Sequence, residues 1–302
     1  MLDILARAGC YVAIIVLGYV LRRKGFFGPE TFGVLSKIVI KITLPAALIS
    51  SAAGRPIDVS MLTLSVLGLG CGVLYVIAAM IVNSRKDREQ RAFAVVNTPG
   101  YNIGTFALPF TSSFLGPVGV LATSLFDVGN SFVVLGGSFG VARAVKEGGK
   151  VDIKRVLKAP LTSIPFLTHL VMVFLNLNGW NLPKPVLELA GIIGNANAFL
   201  AMLMIGVGFK LSGEKSQLGA IVRILSVRYG LAAVLAACFW FGLPFETVIR
   251  KTLVILAFAP IGSAVPVFTA ELKGDVGLSS ALNSISIVIS IFAIVTLLMV
   301  LH

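Results

Sequence analysis

Ten long apolar segments, separated by charge clusters and by proline and glycine breaks, divide this chain of 302 residues. They cover residues 4–21, 33–53, 60–82, 91–112, 117–143, 158–176, 186–209, 221–242, 247–271 and 278–301. A helix needs roughly 20 residues to cross a hydrocarbon core about 30 Å thick, so each segment has the length of one crossing. Because only 13% of the residues are charged, against about 25% in a typical soluble protein, we predict an all-α, multi-pass membrane protein with ten transmembrane helices.

Basic residues are distributed unevenly between the two sets of loops that these crossings would create. The chain carries 25 lysine and arginine residues against 13 acidic residues, a net charge of +12. Seventeen of the basic residues fall in loops of one side, and five fall in loops of the other: Arg7, Arg55, Lys184, Arg250 and Lys251. The positive-inside rule makes the richer side cytoplasmic and both termini extracytoplasmic. We therefore attribute the excess charge to orientation in a bilayer and not to a nucleic-acid partner. The predicted bilayer is a bacterial cytoplasmic membrane.

The ten segments fall into two halves of five. Residues 1–146 hold the first five, residues 147–157 form a basic cytoplasmic linker, and residues 158–302 hold the second five. An odd number of crossings in each half inverts the second half relative to the first. The sequence thus predicts a 5+5 inverted repeat, a plan in which substrate sites form near the bilayer midplane where the halves meet.

Segments four and nine each contain a cluster of helix-breaking residues. Residues 97–109 hold two prolines, two glycines and two asparagines, and residues 259–266 hold Pro260, Gly262 and Pro266. Proline removes an amide donor and clashes with the preceding turn, so both segments are predicted to unwind near their middle. Unpaired backbone groups are not tolerated against lipid, and the breaks therefore predict an interior site.

Two half-helices that begin near Asn102 and Ser263 would direct amide donors toward an anion. The carbonyl groups that end the preceding half-helices could instead hold a cation. A pair of purely structural kinks is the alternative interpretation. The predicted substrate-binding residues are those around the two breaks: Asn102, Ile103, Gly104, Pro260, Gly262 and Ser263.

Asp127 lies about ten residues into segment five, where a charge costs on the order of 3 kcal/mol to insert. Asn130 is on the same helical face, so this pair is the candidate for coupling to H⁺ or Na⁺. A protonated or backbone-bonded Asp127 is the structural alternative. Asn283, Ser284 and Ser286 occupy a comparable place in segment ten.

Other polar features favour structural roles. Lys37, Lys41 and Arg228 lie inside segments; they could attract an anionic solute inward, but we interpret them mainly as cations that extend to the interface. Residues 136–140 match the G-x-S-x-G pattern of serine hydrolases. A hydrolase needs a strand before the serine and a base within reach, and this apolar helical segment offers neither. We therefore interpret these small residues as helix-packing positions and predict that the protein is not an enzyme. The three cysteines show no paired spacing and are expected to be buried thiols; no metal ligand set or cofactor is predicted.

The order of these motifs resembles the auxin efflux carrier family, which includes PIN-type plant carriers and short bacterial permeases, within the bile acid:sodium symporter superfamily. The resemblance covers nearly the whole chain. The matching pieces are Leu44-Pro45-Ala46, Asn102 seven residues before Pro109, residues 260–266, Ala270-Glu271, Gly274-Asp275 and Ser279-Ser280-Ala281.

This resemblance implies a scaffold of segments 1, 2, 6 and 7 and a transport domain of segments 3, 4, 5, 8, 9 and 10. It also implies alternating access by an elevator-type movement, with a small organic anion bound where segments four and nine cross. Ser263 departs from the glutamine of PIN-type carriers, so auxin itself is not the expected substrate. A sodium-coupled carrier like the bile acid symporters, a non-transporting receptor with the same fold, and a homodimer through the scaffold helices are left open.

Overall fold

The structure is a computed structural model that describes residues 2–54, 57–210 and 217–301. Arg55 and Lys215, two of the loop cations behind the orientation prediction, lie outside the described residues. Within the described part of the chain, every regular element is a helix, as the prediction of an all-α protein requires.

The described residues of the first half form eight α-helices: α1 (Leu2–Arg23), α2 (Thr31–Ile38), α3 (Leu44–Ala52), α4 (Thr63–Val82), α5 (Arg88–Asn97), α6 (Leu108–Phe114), α7 (Gly116–Phe132) and α8 (Ser138–Glu147). A π-helical turn precedes each of α3 (Val39–Thr43), α6 (Ile103–Ala107) and α8 (Val133–Gly137). A 3₁₀ turn at Val59–Leu62 precedes α4. In the second half, outside residues 211–216 and 302, there are eight more: α9 (Ile153–Lys158), α10 (Ile164–Leu177), α11 (Lys184–Asn195), α12 (Asn197–Gly208), α13 (Leu218–Gly242), α14 (Thr247–Ala257), α15 (Val265–Glu271) and α16 (Val276–Val300), with a 3₁₀ turn at Pro160–Thr162.

Seven helical stretches in the described residues are long and apolar enough to cross a membrane. They are Leu2–Arg23, Thr31–Ala52, Val59–Val82, Gly116–Glu147, Lys184–Gly208, Leu218–Gly242 and Val276–Val300. The chain is therefore a multi-pass membrane protein. Predicted segments four and nine do not reach this length because each is split into two short helices.

Segment six also departs from a straight crossing. Ile153–Thr162 and Ile164–Leu177 are bent by 79° relative to each other, and counted as one span they would make an eighth. Ser163 between them is extended, with φ −92° and ψ 119°. Pro165 follows closely and is tolerated because it falls in the first turn of α10, where its missing amide has no helical partner.

Small residues set the closest helix contacts. A Cβ atom added at Gly68 would lie 2.0 Å from the Phe126 carbonyl oxygen, and one at Gly129 would lie 1.8 Å from the Ser65 oxygen, so α4 and α7 pack backbone to backbone. Gly206 brings α12 equally close to Ile15 of α1.

The glycines of the G-x-S-x-G pattern also lie against a neighbouring helix. Gly136 and Gly140 face Val156 of α9, and Ser138 is buried at the start of α8. The cysteine prediction is wrong for two of the three thiols. Cys71 is buried, whereas Cys10 and Cys238 are exposed on the outer surfaces of α1 and α13, because a membrane helix can present apolar side chains outward to lipid.

Contacts between helix ends bring the basic loops together. Arg223 at the start of α13 donates to the Asn83 side chain at 2.9 Å, and Lys146 at the end of α8 lies 3.2 Å from Glu89 and 2.8 Å from the Leu272 carbonyl oxygen. At a different place, the first turn of α1 and the last turn of α16 line one common cleft, with Asp3 and Leu301 among its residues.

The helices can be divided into two groups, which also contact each other where α7 meets α3 and α10 and where α1 meets α16. In one, α1 and α2 pack on α12, and α3 packs on α10 and α11. In the other, α4 packs on α7, α5 on α8, and α14 on both α7 and α13, while α16 packs on α13 and α15. The interrupted helices α5–α6 and α14–α15 thus lie mostly within the second group.

Candidate functional site

Two interruptions define the candidate site. Residues 98–102 separate α5 from the helical turn that begins at Ile103, and residues 258–264 separate α14 from α15. Pro99 and Pro260 cannot continue the preceding helices, and Gly100 adopts a left-handed φ of 80°. Both predicted breaks are confirmed.

The two interruptions contact each other directly, in a region we call the junction (residues 98–105 and 258–264). The backbone amide of Asn102 donates to the Pro260 carbonyl oxygen at 2.9 Å, and the Asn102 side-chain amide donates to Ser263 Oγ at 2.8 Å. The Thr105 hydroxyl donates to Asn102 Oδ1. Asn102 is only 5% exposed, so these polar groups satisfy one another within the protein.

Asn130 of α7 holds the first interruption in place. Its Oδ1 accepts from the Tyr101 amide and its Nδ2 donates to the Tyr101 carbonyl oxygen, both at 3.1 Å. The same Nδ2 donates to Asp127 Oδ1 at 2.8 Å. Asp127 is half-buried and forms no ion pair with any residue that the structure describes. The predicted pair is therefore connected to the junction through Asn130.

Asn283 of α16 has the corresponding role at the second interruption. Its Nδ2 donates to the carbonyl oxygens of Ile261 at 2.8 Å and Gly262 at 3.2 Å. Ser286 Oγ accepts from the Ile261 amide at 3.1 Å. Ser284 instead accepts from the Lys210 amide, at 2.9 Å. The polar residues of segment ten thus have more than a general packing role.

Arg228 of α13 is a neighbour of the junction that the sequence interpretation missed. We interpreted it as a cation extended to the interface, but it is 1% exposed and contacts the junction. Its Nη1 donates to the Thr98 carbonyl oxygen and its Nη2 to the Ala259 carbonyl oxygen, each at 2.6 Å. The Tyr75 and Tyr101 ring centroids lie 5.5 and 5.6 Å from its Cζ. Its depth in segment eight was the one available signal.

A cavity of about 340 Å³ adjoins the junction. Ser263 and Asn283 line it together with residues of α1, α2, α12, α15 and α16, so it lies between the two helix groups. Arg22 and Lys210 also line it, and none of its described lining residues is acidic. Most of the lining is apolar, and the charged residues among its described lining are these two cations, of which Arg22 also donates from Nη1 to the Val207 carbonyl oxygen at 2.7 Å.

The remaining predicted residues lie at the junction but do not line this cavity. Ile103 and Pro260 are buried, and Gly104 faces segment two, where an added Cβ would lie 2.5 Å from Leu44 Cδ2. An added Cβ at Gly262 would meet only ordinary contacts, the nearest at 3.5 Å. Of the six predicted substrate-binding residues, Ser263 is the one that lines the cavity, and Asn102 is hydrogen-bonded to it.

Comparisons with known proteins agree with the predicted resemblance. A family model described as "membrane transport protein" matches residues 11–153. An uncharacterized transporter of Methanothermobacter thermautotrophicus is 22% identical over 288 residues, which cover 94% of this chain and 93% of that protein. The resemblance to a family of membrane carriers is confirmed.

Proposed function

This chain is a multi-pass membrane protein related to the membrane transport protein family, and on that premise we propose that it is a secondary transporter of a small organic carboxylate. The observation that carries the proposal is the cavity that joins Ser263 to Arg22 and Lys210. Its volume of about 340 Å³ suits a small organic molecule, and its two cations would attract a carboxylate.

The substrate would bind at the end of the cavity formed by the junction. Ser263 presents a hydroxyl there, and Asn102 and Asn283 are the neighbouring amides. A carboxylate could exchange bonds with these groups without leaving any of them unpaired. This exchange matters because buried polar groups without partners are costly.

We further propose that the ten predicted segments form a 5+5 inverted repeat. The asparagines of α7 and α16 each bond to the backbone of the interruption in the preceding segment, which supports a correspondence between the halves. The cleft shared by the first turn of α1 and the last turn of α16 supports termini on one side, as an even number of crossings requires. The contacts of Lys146 and Arg223 with other loop-proximal residues support the assignment of the basic loops to the opposite side.

The movement we propose is a shift of the second helix group against the first. The cavity lies between the groups, and Gly104 allows the junction to lie directly against Leu44 of the first group. In an elevator-type cycle this contact would change as the junction moves across the bilayer. Asp127, bonded to the junction through Asn130, is the proposed site of coupling to H⁺ or Na⁺.

Purified protein in liposomes, tested with mono- and dicarboxylates, would examine this function. Asn102→Ala and Ser263→Ala each remove a polar group from the junction, and we expect affinity for the transported anion to fall about tenfold or more. Asn178→Ala and Ser112→Ala are matched controls, because among the described residues each of these side chains bonds to a carbonyl in the adjoining turn, of Phe174 and Pro109 respectively. Unchanged affinity in the junction variants would contradict the site, and wild-type binding without flux would identify the receptor alternative.

A further inference from the structure

Arg228 is a fully buried cation without an acidic partner among the described residues. Its two terminal nitrogens bond to the carbonyl oxygens of Thr98 and Ala259, the residues that immediately precede Pro99 and Pro260. A buried charge is costly unless other groups compensate it. The compensating groups here must therefore be those of the junction.

Two helix ends supply a compensating negative charge. Thr98 follows the last residue of α5, and Ala259 lies two residues beyond the last residue of α14. Each helix C-terminus carries roughly half an elementary negative charge, so two such ends together balance about one positive charge. The faces of Tyr75 and Tyr101, with centroids 5.5 and 5.6 Å from the guanidinium carbon, add further attraction.

These groups engage the two terminal nitrogens of the guanidinium, whereas its Nε is buried without a hydrogen-bond partner among the described residues. Both terminal nitrogens are used, two aromatic rings are close to it, and Arg228 does not line the cavity that holds Ser263. The Tyr75 hydroxyl also donates to the Arg228 carbonyl oxygen at 3.0 Å, which fixes the backbone of α13 at this point. A direct contact with a substrate anion is therefore not the role that this geometry favours.

We infer that the Arg228 guanidinium is a built-in cation that occupies the position where the carbonyl ends of two interrupted helices would otherwise hold a metal ion. Carbonyl groups at the ends of broken membrane helices are suited to Na⁺, and here a side chain supplies the charge permanently. The inference predicts that anion flux needs no exchangeable cation at these two carbonyls. In this one respect it rests on the proposed function. Coupling at Asp127 is a separate question.

Arg228→Ala tests this inference by removing the cation while keeping both carbonyls. We expect the thermal unfolding temperature of the purified variant to fall in choline chloride and to recover in part with Na⁺ or with low millimolar guanidinium. In liposomes, its anion flux should fall about tenfold in choline and recover with the same cations. Arg223→Ala is the matched control, since this cation lies on the same helix but bonds to Asn83. Equal responses to Na⁺ and guanidinium in wild type, Arg228→Ala and Arg223→Ala would overturn the inference.

Two further variants separate charge from hydrogen bonding. Arg228→Lys keeps the charge, whereas Arg228→Gln keeps donor groups without charge, so the lysine variant should unfold at the higher temperature. A lysine variant no more stable than the glutamine variant would contradict a charge-balancing role. These unfolding measurements need no substrate. Failure of every carboxylate to move would therefore count against the proposed function while leaving the test of Arg228 intact.

Discussion

At the scale of single residues, Asp127 is connected to the junction through the side chain of Asn130. Asn130 Nδ2 donates to Asp127 Oδ1 and also to the Tyr101 carbonyl oxygen, at 2.8 and 3.1 Å. A proton or ion bound by the Asp127 carboxylate would compete with Asn130 Nδ2 for Asp127 Oδ1. The backbone of the first interruption would then respond to the state of Asp127.

Replacing Asp127 by asparagine removes the charge and leaves a side chain of similar shape. If Asp127 couples transport to an ion gradient, a tenfold gradient should raise substrate accumulation by the wild-type protein about tenfold. Accumulation by Asp127→Asn should lose this dependence on the gradient. Initial rates and steady-state uptake in proteoliposomes, with H⁺ and Na⁺ gradients varied separately, measure this loss. Asp58→Asn is the control, because Asp58 caps an exposed turn. Uptake with unaltered pH and Na⁺ dependence in Asp127→Asn would rule out the coupling role.

At the scale of helices, the contact between α4 and α7 depends on missing side chains. A Cβ at Gly129 would lie 1.8 Å from the Ser65 oxygen and 2.6 Å from the Leu69 amide nitrogen, so Gly129→Ala must push two backbones apart. Overpacking of this kind costs about 1–3 kcal/mol. We expect a lower thermal unfolding temperature in detergent.

Gly70→Ala provides the comparison on α4 itself. A Cβ at Gly70 would meet nothing within 4 Å, and alanine has a higher helix propensity than glycine by about 1 kcal/mol. This variant should therefore unfold at the wild-type temperature or slightly above it. Equal destabilisation by both substitutions would show that the α4–α7 contact is looser than the structure indicates.

The helices and their interruptions follow from local sequence, whereas the contacts within the junction do not. Pro99, Gly100 and Pro260 break helices by covalent geometry, so their effect can be predicted without knowing the fold. The carbonyl groups that bind Arg228 come from segments four and nine. Thr98 is 130 residues away in the sequence and Ala259 is 31 residues away, so no local pattern specifies them. Depth in a segment shows that a cation needs compensation but does not identify the compensating groups. For the same reason the bonds from Asn283 to the second interruption were not predicted.

At the scale of the whole molecule, the two helix groups are separated by a cavity at one place and touch each other at another. The cavity lined by Arg22 and Lys210 lies between the two helix groups. Elsewhere the groups are in contact, since Arg7 of α1 donates to the Ser113 carbonyl oxygen at 3.1 Å and the Tyr11 hydroxyl also bonds to Ser113. In the proposed cycle, these closed contacts would open as the junction moves away from the side of Arg22.

A reversible cross-link between the groups would test whether this movement is required. Leu44 and Gly104 come from different groups. A Cβ at Gly104 would lie 3.6 Å from Leu44 Cγ, the position that the sulfur of Leu44→Cys would take, so a disulfide with Gly104→Cys is within reach. In a background without Cys10, Cys71 and Cys238, oxidation should reduce flux at least about tenfold and dithiothreitol should restore it, because a fixed junction cannot alternate between the two sides.

The control cross-link joins two positions of one group, so it should leave the movement free. Gly72→Cys with Val133→Cys serves this purpose, because both residues lie in the group that contains the junction. The 2.8 Å between a Cβ at Gly72 and Val133 Cβ is shorter than the roughly 3.5–4.5 Å of a disulfide, so the bond forms after a small separation of the two segments. Since that group is expected to move as a unit, oxidation of this pair should leave flux unchanged. Undiminished flux through the oxidised Leu44–Gly104 pair would mean that substrate passes without movement between the groups. In that case the cavity beside Ser263 would belong to a fixed pathway, and the elevator-type cycle would have to be abandoned.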